Sequence, residues 1–244
     1  MVLSRRTVLK AGSVFGAMSL ASGATAPREN EMTTENRTAP GAAPLPFAMT
    51  TPVRVARIGL KARDAENLAA YYRAVVGLHE MGRRDGAIVL GAGDRELMEI
   101  ESFPSARPDD PRSAGLFHTA FLLPTRGDLA RWTRRAIEQQ IPVSGASDHI
   151  VSEAIYLTDP EGNGIEIYSD RPNDQWTWND GLVEMRTDAL DVRGLLDVLK
   201  LEGGEWTGAP QNTVVGHVQL RAGDAKQAEK FWNEQVGLDT VSYY

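Results

Sequence analysis

One ten-residue pattern occurs twice in this chain, 160 positions apart, and it limits the fold more than any other feature. Val55-Ala-Arg-Ile-Gly-Leu-Lys-Ala-Arg-Asp64 aligns without a gap on Val215-Gly-His-Val-Gln-Leu-Arg-Ala-Gly-Asp224. The likeness runs on to Val76-Gly77-Leu78 and Val236-Gly237-Leu238. Each copy reads as a strand, an Asp at a helix start, an amphipathic helix and a closing Gly. Asp offers an acceptor and a negative charge to the free N–H groups of a helix N-terminus. Gly suits the left-handed residue that ends a helix. Self-similarity at a fixed offset means one structural unit used repeatedly.

A third copy lies between them. Leu116–Pro124 reads as a strand and Asp128–Gln140 as a helix, with Leu129, Trp132, Ala136 and Ile137 on one face. Ile150–Leu157 reads as a further strand, Asp159-Pro-Glu-Gly-Asn-Gly164 as a turn, and Ile165–Tyr168 as the returning strand. The full unit is strand–helix–strand–strand–strand, and the expected class is α+β. Unit one spans about 53–104 and unit two about 115–170. A connector, 171–212, carries Trp176, Trp178 and a short helix near Ala189–Leu199. Unit three, 213–244, holds a strand and a helix, so it is expected to be incomplete: either another chain, such as a second copy, covers its open edge, or the product is truncated.

The N-terminus reads as an address. Ser4-Arg5-Arg6-Thr7-Val8-Leu9-Lys10 fits the twin-arginine export pattern; an apolar stretch runs from Ala11 to Ser22, and Ala24-Thr25-Ala26 supplies small residues for cleavage. Residues 1–26 are thus an expected signal peptide, with a periplasmic or extracellular destination. Removing their three positive charges takes the formal net charge from −7 to −10. Residues 27–52 are rich in Pro, Ala, Thr, Asn and Glu and read as a disordered tether. A dispersed acidic balance argues against a nucleic-acid partner, because phosphate binding needs a basic surface. No apolar run reaches the roughly 20 residues of a bilayer span, so no membrane insertion is expected after signal removal. Cysteine is absent, which excludes disulfides, thiolate metal sites and a cysteine nucleophile.

Two residues stand out on physical grounds. Glu166 lies between Ile165 and Ile167 in a strand, so alternation puts Glu166 and Tyr168 on the face opposite the isoleucines. A carboxylate on a lined interior wall must be paired or must bind a cation. His118 stands in an apolar strand, with Ala120 and Leu122 on its face.

The repeated βαβββ unit resembles the vicinal oxygen chelate superfamily, which includes glyoxalase I, bleomycin-resistance proteins and extradiol dioxygenases. Gly115–Pro124 and Ser147–Tyr168 are similar to catechol 2,3-dioxygenase-like proteins. The resemblance covers 53–170 and 213–244, with 53–170 as a two-module domain, and makes the chain look like a short version of a longer four-unit architecture. It implies paired βαβββ modules whose mixed sheet forms a cup with helices outside. The first and last strands line that cup through Arg57 and Glu99 in unit one, His118 and Glu166 in unit two, and His217 in unit three. It further implies a metal held by two His and one carboxylate, Fe(II) first and Mn(II) second. Such a set leaves three positions open, two for the adjacent oxygens of an aromatic diol and one for dioxygen. His149 and Tyr156 occupy the family's places for proton transfer and hydrogen bonding; Tyr156 precedes Glu166 by ten residues, as in the family.

The ligand set depends on which units face each other. If units one and two pair, the second His position holds Arg57, which has no lone pair for a metal. The cup would then be a degenerate, metal-free binding site. If units two and three pair, His118, Glu166 and His217 make a complete set.

Overall fold

The computed structural model describes residues 3–4 and 47–243. Most of the expected signal peptide and tether therefore lies outside the described residues, including the whole of the separate unit Arg6–Pro44.

Unit one is β1 (Ile58–Ala62), α1 (Ala65–Tyr71), β2 (His79–Arg84), β3 (Ala87–Ala92) and β4 (Arg95–Ser102). Its four strands form a sheet of their own in the order β1-β4-β3-β2, with β1 parallel to β4. Unit two is β5 (Gly115–Leu122), α2 (Arg126–Glu138), β6 (Gly145–Asp148), β7 (Ser152–Thr158) and β8 (Gly164–Asp170). The connector adds β9 (Asp188–Ala189) and the helices α3 (Val192–Asp197) and α4 (Leu199–Glu202). Unit three contributes β10 (Val214–Arg221) and α5 (Ala225–Lys230). A six-stranded mixed sheet runs β9-β6-β7-β8-β5-β10. The class is α+β, built from βαβββ modules. The continuous sheet joins units two and three, while unit one keeps a separate sheet.

The repeat is realised residue by residue. Asp64 and Asp224 cap α1 and α5 by accepting from the N–H groups of Asn67 and Gln227, each at 3.0 Å. Both helices loosen into a π-helical turn, Tyr72–Val76 and Phe231–Val236, and both end at a left-handed Gly, with φ of 84° at Gly77 and 77° at Gly237. In unit two the helix starts earlier than the Asp signal suggests. Thr125 is the cap and accepts from Asp128 N–H, because its short hydroxyl side chain sits on extended backbone one residue before Arg126.

Units one and two share one core. Leu68, Tyr72, Val76, Ile88 and Ile100 pack with Phe121, Leu129, Trp132, Ile155 and Ile167 in a single buried cluster that Val215 of unit three joins. Polar contacts fix the register between the units. Trp132 Nε1 donates to the Val75 carbonyl at 2.9 Å, and the buried Tyr72 hydroxyl donates to Asp159 at 3.0 Å. The Glu161 carboxylate accepts from the N–H groups of Arg63 and Asp64, at the start of α1. The turn Asp159–Gly164, which feeds the Glu166 strand, is thereby braced by unit one.

The opposite face of the six-stranded sheet is a second, smaller wall of Ala120, Leu122, Ala154, Tyr168 and Val214. The helical turn Phe47–Thr50 lies here, with Ala48 and Met49 packed on that wall. The end of the expected disordered tether is therefore structured, because its apolar residues find an apolar surface. The strand expected from Ile150 starts at Ser152 instead, and the connector helix is broken into α3 and α4.

Candidate metal centre

Four strands present a row of side chains to the small wall. Tyr156 on β7 pairs in register with Glu166 on β8, Glu166 with Ala120 on β5, and Ala120 with His217 on β10. His118 lies two residues before Ala120, on the same face. At the centre of the row stands only a methyl group, so the long side chains on either side converge over it.

That convergence is tight. His118 Nε2 lies 2.9 Å and His217 Nε2 3.1 Å from the same oxygen, Glu166 Oε2, and the two nitrogens are 3.3 Å apart. His118 and Glu166 are 5% and 2% exposed, whereas His217 keeps one side open to the cup. Three donor atoms in a triangle with edges near 3 Å match one face of an octahedron with metal–ligand bonds of about 2.1 Å. The donor set, two imidazoles and one carboxylate, suits Fe(II) or Mn(II). The residues present therefore fit a metal ion. His217 Nδ1 lies 3.3 Å from the Tyr168 hydroxyl, a contact that orients the ring. Burial pushes the Glu166 carboxyl up, but the charge of His217 and hydrogen bonds from both histidines outweigh it and hold the group at about 2. It is an anion at any working pH.

His217 reaches this row through a bulge. Val215 pairs with Phe121 and His217 with Ala120, so Gly216 is an extra residue in the ladder. Without it, alternation would send His217 to the same face as Val215, into the main core. The bulge lets Val215 fill that core while His217 faces the cup. A Cβ at position 216 would come within 1.9 Å of the Tyr168 oxygen and 3.0 Å of Leu122 Cβ, so only Gly fits.

Beside the triad lies a second polar pair. His149 Nε2 is 2.7 Å from the Tyr156 hydroxyl, and His149 Nδ1 is 2.8 Å from the Arg186 carbonyl oxygen. A carbonyl can only accept, so Nδ1 carries the proton of the neutral ring. Nε2 is then the acceptor and Tyr156 the donor. The Tyr156 ring stands 5.7 Å from that of His118, centroid to centroid. The pair therefore borders the triad.

Arg57 and Glu99 are placed elsewhere. Arg57 lies 2.7 Å from Glu96 and 3.8 Å from Glu99, and Arg84 lies 2.7 Å and 3.7 Å from the same two carboxylates. Among the described residues no hydrogen bond or ion pair links this group to the triad. The expectation put Arg57 and Glu99 on a cup shared with unit two; here β1 is an edge strand paired with β4, whereas β5 pairs with both β8 and β10. Sequence reasoning also missed the roles of the Arg186 carbonyl and Gly216. Only Gly216 had a visible signal, a Gly inside a strand pattern.

The glyoxalase/bleomycin resistance protein/dioxygenase superfamily profile matches residues 54–167. The chain is 40% identical over 190 residues to a catechol-2,3-dioxygenase of Bacillus subtilis (strain 168), covering 76% of this chain and 65% of that protein. It is 30% identical over 130 residues to biphenyl-2,3-diol 1,2-dioxygenase 3 of Rhodococcus globerulus, covering 50% of this chain and 66% of that protein. The matched stretches thus span about two thirds of these relatives' lengths. Residues 54–167 thus combine the βαβββ modules with the sequence profile of the glyoxalase/bleomycin resistance protein/dioxygenase superfamily.

Proposed function

We propose that this protein is a metal-dependent extradiol dioxygenase that opens the ring of a catechol-like aromatic diol. The observation that carries the reading is the two-His, one-carboxylate triad with a His–Tyr proton pair at its side. His118, Glu166 and His217 hold the metal, Fe(II) by preference and Mn(II) as the alternative. Held there, such an ion would supply Lewis-acid and electron-transfer chemistry for an aromatic diol and dioxygen. The two named relatives are dioxygenases of aromatic diols by their names, which supports the substrate class.

The chain's own residues supply the rest. Glu166 and the two imidazoles give the site one negative charge, which a divalent cation more than neutralises. The diol's proton has a nearby acceptor, because the His149 ring holds Nε2 unprotonated and toward the cup. Tyr156 supplies a hydroxyl to orient an oxygen of the substrate or to relay that proton. The apolar wall of Ala120, Leu122, Ala154 and Val214, packed by Ala48 and Met49, borders the triad and keeps water from it.

The test is anaerobic loading of the purified chain with one equivalent of Fe(II), then catechol and air. The yellow ring-fission product and oxygen uptake are expected together, both abolished in His118→Ala. No product and no oxygen uptake in the loaded wild type would reject the reading. Export by the twin-arginine route is part of the same proposal; it rests on Arg5, Arg6 and the apolar stretch that follows. Cell fractionation of wild type against Arg5→Lys/Arg6→Lys checks it.

A further inference from the structure

His149 sits in the tight connection between β6 and β7, where its N–H donates to the Ser152 carbonyl at 2.8 Å. The next residue, Ile150, has a φ of 70°. The other described non-glycine residues with positive φ are Asp85, Gln140 and Asp180, none of them β-branched. The left-handed region is unfavourable for a branched side chain, so something must hold Ile150 there.

The surrounding groups do so from both sides of the residue. The Ile150 N–H donates to Asp148 Oδ1 at 2.8 Å. Its carbonyl accepts from Arg171 Nη1 at 2.8 Å. Arg171 also grips both oxygens of Asp148, at 2.7 Å each, and its backbone N–H donates to the Val151 carbonyl at 2.8 Å. Arg171 follows β8, five residues after Glu166 on the same chain segment. The end of the Glu166 strand thus clamps the turn that carries His149. Nearby, the buried Glu153 is already held by Arg126 through two hydrogen bonds, so it does not depend on Arg171 alone.

We infer that Arg171 and Asp148 are positioning residues: they lock Ile150 in the left-handed conformation and so aim the His149 ring between the Arg186 carbonyl and the Tyr156 hydroxyl. The inference deepens the dioxygenase reading, since it takes His149 to be the proton acceptor. Released from the clamp, Ile150 relaxes to an ordinary conformation, the peptide after His149 turns, and the ring leaves its two partners. A group that moves protons loses most of its effect when displaced by about 1 Å, on the order of 100-fold in rate.

The test uses Arg171→Lys and Asp148→Asn in the full chain. Ring ¹⁵N spectra of the metal-free protein are expected to show one His149 tautomer, protonated at Nδ1, in the wild type and a mixture in both variants. After Fe(II) loading, kcat for catechol is expected to fall by about 100-fold, with KM and metal content unchanged. Adding Ile150→Gly removes the need for a clamp, because Gly adopts the left-handed region freely. It is expected to restore the single tautomer and most of kcat. Wild-type His149 signals in Arg171→Lys and Asp148→Asn, or no rescue by Ile150→Gly, would overturn the inference. If one variant does not fold, the other decides. A wild type that fails to cleave catechol rejects the dioxygenase reading alone, since the spectra still judge the clamp.

Discussion

Arg57 and His217 occupy the same place in the same repeat, and their surroundings could hardly differ more. The backbone around them is copied down to the Asp cap, the π-helical turn and the left-handed Gly. Yet Arg57 is half exposed among Arg84, Glu96 and Glu99, and His217 converges with His118 on a carboxylate that is almost wholly buried. The Glu96 carboxyl is held below its ordinary range by the hydrogen bond from Arg84, an exposed arrangement of the kind that adds little stability. Glu166 is held low in a place where an unpaired anion could not survive. The difference lies in the neighbouring strand. A two-module metal site needs the first strands of two units side by side. β5 lies between the last strand of its own unit and β10, whereas β1 has only the last strand of its own unit beside it in its sheet. The repeat sets the local fold; the partner strand sets the chemistry.

The strongest challenge to this contrast is removal of a ligand. Glu166→Ala is expected to weaken metal binding by well over 100-fold, since even outer contacts of metal ligands are worth about 10–100-fold. A chelator competition titration measures it. Next comes the bulge that brings unit three into the site. Gly216→Ala puts a methyl group onto Tyr168 and Leu122. It is expected to cost about 2 kcal/mol in urea unfolding and to weaken metal binding roughly tenfold.

A smaller effect concerns pH. Asp170 follows Glu166 and Tyr168 on the cup face of β8. Burial pushes its carboxyl up; the charge of His217 opposes this and that of Glu166 adds to it, leaving it at about 7 against 3.8 in the open chain. Between those values the folded state keeps a proton that the unfolded state has lost. The stabilising contribution is therefore complete below the lower value and lost as pH rises through the upper one. Urea midpoints of the metal-free chain are expected to fall between about pH 4 and pH 7, and Asp170→Asn is expected to flatten that decline. The smallest effect belongs to unit one. Arg57→Ala is expected to change stability by less than about 1 kcal/mol and metal content not at all.

Much of this was legible in the sequence, for physical reasons. In units one and three the helix starts and stops followed from Asp and Gly, whose roles are local. Glu166 followed from strict alternation between two isoleucines. The pairing of β5 with β10 was not legible, because strand partners are chosen by long-range packing; Arg57 and Glu99 were expected in the cup for that reason. His217 faces the cup only because Gly216 breaks the alternation, which a period of two cannot reveal. Ile150 was read as strand because branched residues favour extended backbone, and the Arg171–Asp148 clamp overrides that preference. The partner of His149 Nδ1 is a main-chain carbonyl, so no side-chain pattern could have marked it.

The central claim is that units two and three together make one metal site and that unit one contributes no ligand. Anaerobic titration of the metal-free full chain with Fe(II) tests it directly, run on wild type, His118→Ala, His217→Ala and Arg57→Ala. The account predicts one equivalent bound by wild type and Arg57→Ala, and loss of binding in both histidine variants. Full uptake by His217→Ala, or loss of the metal in Arg57→Ala, would contradict it.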